Sequence, residues 1–103
     1  MKIILSTTSN KEEAQKIAKV LISKKLAACI NIIPQIISMY EWQNNFENDE
    51  ESLMIIKTSD EMANFVKETI LELHSYTLPE IIFLDTTGGH FEYENWVLNQ
   101  LKK

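Results

Sequence analysis

The run His74-Ser75-Tyr76-Thr77-Leu78-Pro79-Glu80 brings an imidazole, a phenol and a carboxylate close together in what reads as a loop. Loops are where binding and catalytic side chains concentrate. Imidazole with carboxylate suits ligation of Cu(II) or Zn(II), and it also suits acid–base work. The turn at Pro79 would fold His74 and Glu80 together at the mouth of a cleft. A structural role is the alternative, with His74 capping the last carbonyls of a helix, Tyr76 packed on Pro79 and Glu80 opening a strand. Cys29, the only cysteine, offers a soft thiolate for copper. The commoner role of a lone cysteine is that of a small apolar residue packed in the sheet, here between Ala28 and Ile30. His90, beside Gly88-Gly89, belongs to a structural turn that nothing in the sequence places near His74. Tyr40, Trp42, Phe46, Tyr93 and Trp96 are the rings expected to anchor subunit contacts, one or two of them lining a cleft.

Catalysis finds little support. A Cys29–His74 nucleophile pair would put the thiol in mid-strand, away from an exposed elbow or helix start. No CxxC, metalloprotease helix or serine-nucleophile signature is present. The two glycines lack the spacing that cradles a phosphate or a dinucleotide, so no organic cofactor is expected. All 10 basic residues are lysine. Without arginine the chain lacks the usual bidentate partner of phosphate and of guanine edges, and its net charge of -5 repels a nucleic-acid backbone. The acids crowd the later two-thirds of the chain, where they would attract cations modestly.

The elements that must position these groups follow from periodicity. Ile3-Ile4-Leu5 marks a buried strand over Lys2–Thr8. Ser9-Asn10-Lys11-Glu12 reads as a capping box, and Ala14, Ile17, Ala18, Leu21 and Ile22 form one helical face. Leu26–Trp42 is rich in β-branched and aromatic residues and predicts a long strand that Pro34 interrupts with a bulge or marks as an edge. Asn44–Glu50 reads as a polar turn and Ser52–Thr58 as the returning strand. A second capping box, Thr58-Ser59-Asp60-Glu61, precedes a helix facing inward through Met62, Phe65, Val66, Thr69, Ile70 and Leu73. A strand over Glu80–Asp85 and a short C-terminal helix carrying Tyr93, Trp96, Val97 and Leu101 complete the chain. The order β-α-β-β-α-β-α predicts an α+β, ferredoxin-like sandwich in a single domain over residues 1–103. The second strand is longer than its partner could cover, so its apolar far half is expected to pair with another chain. No apolar run is long enough to span a membrane, the apolar start is too short for a signal peptide, and one cysteine excludes an internal disulfide. These features predict a cytoplasmic protein without membrane or nucleic-acid partners.

Several blocks, in order and covering essentially the whole chain, carry a resemblance. They are Leu26-Ala27-Ala28-Cys29-Ile30-Asn31-Ile32-Ile33-Pro34, then Ile36–Tyr40 with Trp42, then Leu53–Thr58, then His74-x-Tyr76-x-x-Pro79-Glu80, then Tyr93-x-x-Trp96. Together they resemble the CutA family of divalent-cation tolerance proteins. The resemblance implies a ferredoxin-like protomer, a homotrimer built through long β2–β3 hairpins, and binding of copper or a related divalent ion such as zinc. It implies a metal site drawn from His74, Glu80 and Cys29, with Tyr40, Trp42, Tyr76, Tyr93 and Trp96 at the interface or cleft. Ser75 and Thr77 depart from the proline and glutamate that family members often carry there, which removes one carboxylate from beside His74. CutA-type trimers are also similar to the PII signalling proteins, so a ligand-sensing or scaffolding trimer with incidental metal binding is the alternative.

Overall fold

Ile3, Ile4 and Leu5 open the chain as an interior strand, and everything else packs around it. The computed structural model describes residues 1–103, in the order β1 (Lys2–Thr8), α1 (Lys11–Ser23), β2 (Cys29–Trp42), β3 (Asn45–Thr58), α2 (Ala63–Leu73), β4 (Ile81–Asp85) and α3 (Phe91–Gln100). The four strands form one antiparallel sheet in the order β2-β3-β1-β4. This is the ferredoxin-like arrangement the sequence predicts. Ala14, Ile17 and Leu21 of α1 and Ala63, Val66 and Ile70 of α2 meet Ile4, Met54 and Ile56 of the sheet in one buried cluster. Packing an amphipathic face against a sheet is what stabilises helices this short.

The helix starts differ from their expected signals. Asn10, not Ser9, caps α1, its side chain accepting the Glu13 N–H at 2.8 Å. Glu13, not Glu12, reaches back to the N–H and hydroxyl of Ser9. The box is therefore displaced by one residue, which gives Glu13 a second task described below. Ahead of α2, Ser59 Oγ accepts the Met62 N–H at 3.2 Å, but residues 60–62 form a turn and the helix begins only at Ala63. Ile22, Phe65 and Leu73 then lie exposed at the margins of their helices, not in the core.

The largest departure is the hairpin. Asn44–Glu50 is not a turn: β3 begins at Asn45, and both β2 and β3 run for 14 residues. Only Gln43 and Asn44 connect them, with φ of 49° and 66°. Positive φ at both central residues marks the type I′ geometry, whose twist matches that of the flanking strands. Pro34 does make a bulge: Ile33 pairs with Leu53 and Ile36 with Glu51, so Pro34 and Gln35 together oppose Ser52. Gln35 absorbs the bend at φ 60°. The bulge also reverses the alternation of β2, placing Ser38 and Tyr40 on the face that carries Ile33 and Leu53.

β2 is thus fully covered by its own partner, and an overlong second strand gives no reason for assembly. What stands free is different. β1 pairs only with Ser52–Thr58 of β3, so Asn45–Glu51 has β2 as its sole neighbour and the distal hairpin has two open edges. Because asparagine–glycine suits a type I′ turn best, replacing Gln43 by Asn together with Asn44 by Gly is expected to stabilise the fold by about 1 kcal/mol. A denaturant midpoint that falls instead would contradict the turn geometry.

Candidate functional site

α2 ends as the His74 N–H donates to the Ile70 carbonyl at 2.8 Å, and the His74 side chain then turns inward, fully buried. The Tyr76 N–H donates to His74 Nδ1 at 3.0 Å, so Nε2 carries the ring hydrogen and donates it to the Thr7 carbonyl at 2.7 Å. The imidazole therefore ties the end of α2 to β1. It does not cap the helix carbonyls. Both ring nitrogens are engaged, and the one free lone pair, on Nδ1, is occupied by the Tyr76 amide. The Tyr76 ring lies against it, with centroids 4.7 Å apart.

Glu13 completes this junction from the first turn of α1. Its Oε2 accepts the Ser75 N–H at 2.8 Å and lies 3.8 Å from His74 Nδ1. Burial pushes the Glu13 carboxyl upward, but hydrogen bonds from Ser75 and Ser9 outweigh it and hold the group below the usual value of 4.5. A carboxyl depressed on folding stabilises the protein above its unfolded value and loses that contribution as pH falls through the folded value. Stability is therefore expected to decline from about pH 4.5 downward, and Glu13→Gln should flatten this decline while costing about 1 kcal/mol at neutral pH. Thermal melts of both proteins across pH 3–7 (roughly the carboxylate range) measure it; parallel acid profiles would rule out the Glu13 contribution.

The loop that follows forms one wall of a cleft. Tyr76 Oη donates to Glu51 Oε2 at 2.7 Å, and Glu51 is only 8% exposed. Burial, then the Glu51 hydrogen bond, pushes the Tyr76 phenol far above its ordinary value. Glu80, Tyr76, Glu51, Tyr40 and Thr7 line a cavity of about 460 Å³. Ser6 Oγ donates to the Glu80 carbonyl at 2.7 Å, which fixes the backbone while the carboxylate stays exposed. Along the hairpin, Tyr40 donates to Asp49, and this bond followed by burial pushes the Tyr40 phenol up to about 12. Trp42, Glu47 and Asp49 continue the cleft outward. A larger hollow of about 960 Å³ between the end of α1 and α2 contains none of the candidate residues.

Cys29 does not join His74 and Glu80. It pairs with Lys57, level with Ile3, whereas Thr7 lies roughly 13 Å further along β1 at ~3.3 Å per residue. Tyr93 lies on the Cys29 side of the molecule instead, its phenol pushed up by burial and then by Cys29, and its ring stacks on Trp96 with centroids 5.9 Å apart. The interface-or-cleft residues therefore divide into two places, Tyr40, Trp42 and Tyr76 at the cleft and Tyr93 and Trp96 on α3. No three His, Cys, Asp or Glu side chains gather as a metal would require within one chain. Glu51, which lines the cleft, and Glu13, which holds the loop, are residues of this arrangement that the sequence does not point to. The burial of Glu51 and its pairing with Ile36 follow from β3 running back to Asn45, which no local pattern in the sequence marks.

The CutA1 divalent ion tolerance protein family model matches residues 2–100. The chain is 40% identical over 95 residues to a divalent-cation tolerance protein CutA of Thermus thermophilus, with 92% of each covered. It is 38% identical over 100 residues to the chloroplastic CutA protein of Arabidopsis thaliana, covering 97% of this chain but 55% of the relative, and so spans about half of that protein's length. The crystal structure of CutA1 from Oryza sativa superposes with a TM-score of 0.96 at 37% identity, covering 99% of this chain and 94% of that one.

Proposed function

The chain belongs to the CutA1 family of divalent ion tolerance proteins, and from that premise we propose that it is a homotrimer binding copper, or a related divalent ion such as zinc, at the cleft beside Tyr76. The observation that carries this reading is the incompleteness of the cleft in one chain. Carboxylates of Glu51 and Glu80 line it, no third ligand completes it, and the hairpin that flanks it ends in open strand edges. A second copy pairing along that hairpin would close the cleft and add donors; head-to-tail contacts of this kind close into a ring. Among the divalent first-row metals copper tops the affinity order for a given donor set, and the neighbouring Asp49 and Glu47 raise the local cation concentration. Glu80 is the ligand of choice. His74 holds the Tyr76 amide and the Thr7 carbonyl behind the cleft, and it ligates only by giving up the Tyr76 amide. Cys29 takes no part. The role is binding and not catalysis, and the lone thiol suits the cytoplasm.

Calorimetric titration of the assembled protein with Cu(II) tests the site. Glu80→Gln is expected to weaken binding by roughly tenfold or more; unchanged affinity would refute the assignment. The engaged nitrogens of His74 favour a second reading, a PII-like trimer whose cleft recognises a small molecule and meets metal incidentally. Wild-type protein that takes up no copper would move the weight there. No helix is long and apolar enough to cross a membrane.

A further inference from the structure

We propose that Glu13 is a positioning residue for the cleft: from the first turn of α1 it holds the α2–β4 loop, and through that loop it aims Tyr76 at Glu51. The proposal deepens the binding reading and rests on the cleft being the binding site. Ser75 and Tyr76 are the two residues whose amides must be fixed for the phenol to reach across the sheet. The Ser75 N–H is held by Glu13 Oε2 at 2.8 Å, from 62 residues away in sequence, and the Tyr76 N–H by His74 Nδ1 at 3.0 Å. Glu13 is itself anchored at its other oxygen by Ser9, with bonds of 3.2 Å from the amide and 3.0 Å from the hydroxyl. Its side chain is only 14% exposed, so water has little room to replace it. Two consecutive amides, one pinned by the buried His74 ring and one by the half-buried Glu13 carboxylate, leave the loop one way to present Tyr76, and the phenol then meets Glu51 at 2.7 Å. The start of α1 thereby sets the geometry of a cleft to which it contributes no wall.

Capping α1 is the competing role, and Asn10 separates the two. The Asn10 side chain accepts the Glu13 N–H at 2.8 Å and makes no hydrogen bond to the loop, so Asn10→Ala weakens the helix start while leaving the acceptor of the Ser75 amide in place. Amide hydrogen exchange of the metal-free protein is the readout. Glu13→Ala is expected to speed exchange at Ser75 and Tyr76 by roughly tenfold or more, while Asn10→Ala leaves both within about threefold of wild type. Glu13→Gln, which keeps an acceptor oxygen, should restore most of the protection and serves in place of the alanine variant if that fails to fold. Equal acceleration in Asn10→Ala and Glu13→Ala, or none in Glu13→Ala, would overturn the proposal. Because no metal enters the measurement, failure of the wild type to bind copper counts against the binding reading alone.

Discussion

Wild type is expected to sediment at about 36 kDa, three times the chain mass of 12.0 kDa, and Trp42→Ala to dissociate it at micromolar concentration. The reasoning starts from the hairpin register. Beyond Ser52 the hairpin leaves the sheet, and the molecule stretches to 45 Å along its longest axis against 26 Å and 21 Å. On this arm Ile37 is 69%, Met39 61%, Trp42 51% and Phe46 70% exposed. Large apolar rings beside unpaired strand edges invite a second chain, and in an isolated protomer they would promote disordered aggregation. Buried aromatic anchors dominate such interfaces, so losing the indole should weaken association by a few kcal/mol. Lys11→Ala, at the exposed first residue of α1, should change it by ~0.5 kcal/mol or less. Since folding and assembly would be linked, the wild-type unfolding midpoint should rise with protein concentration. A wild-type monomer of 12.0 kDa at micromolar concentration would refute the arrangement.

The distal hairpin is hidden in the sequence for a physical reason. β1 and α1 were legible because burial writes a period into the chain: Ile3–Leu5 is a continuous apolar run, and Ala14, Ile17, Ala18 and Leu21 repeat with helical spacing and are all buried. Asn45–Glu51 writes no such period. Its two faces carry Glu47, Asp49 and Glu51 on one side and Phe46, Asn48 and Glu50 on the other, so a strand with solvent along most of its length reads as a polar turn. The turn itself lacks glycine, which hides a type I′ geometry built from Gln43 and Asn44. Pro34 was readable because a missing N–H is a local property. The partners of His74 were not, because Thr7 and Glu13 lie on elements that only the folded topology brings to the end of α2. The same limit applies to Cys29. Sequence offers it as a soft ligand, while the register of β2 on β3 places it at the other end of the sheet.

His74→Ala is the second large effect. The substitution removes a fully buried ring and strips partners from the Thr7 carbonyl, on a residue only 6% exposed, and from the Tyr76 amide. Each buried polar group left unpaired costs about 1–3 kcal/mol, and the cavity adds to that. A loss of about 3 kcal/mol or more is expected in urea unfolding at fixed protein concentration, a large share of the ~5–15 kcal/mol typical of a domain. Glu80→Gln provides the contrast. The Glu80 side chain is exposed and its backbone is held by Ser6, so stability should stay within ~0.5 kcal/mol of wild type. Copper affinity then separates two roles that the sequence alone leaves merged. A ligand on the surface would lose binding on mutation and spare the fold. A strut would lose stability first and weaken binding only by releasing Tyr76 from Glu51. With both ring nitrogens engaged, His74 is expected to behave as the strut and Glu80 as the ligand. An unchanged urea midpoint in His74→Ala, with copper binding abolished, would reverse that assignment.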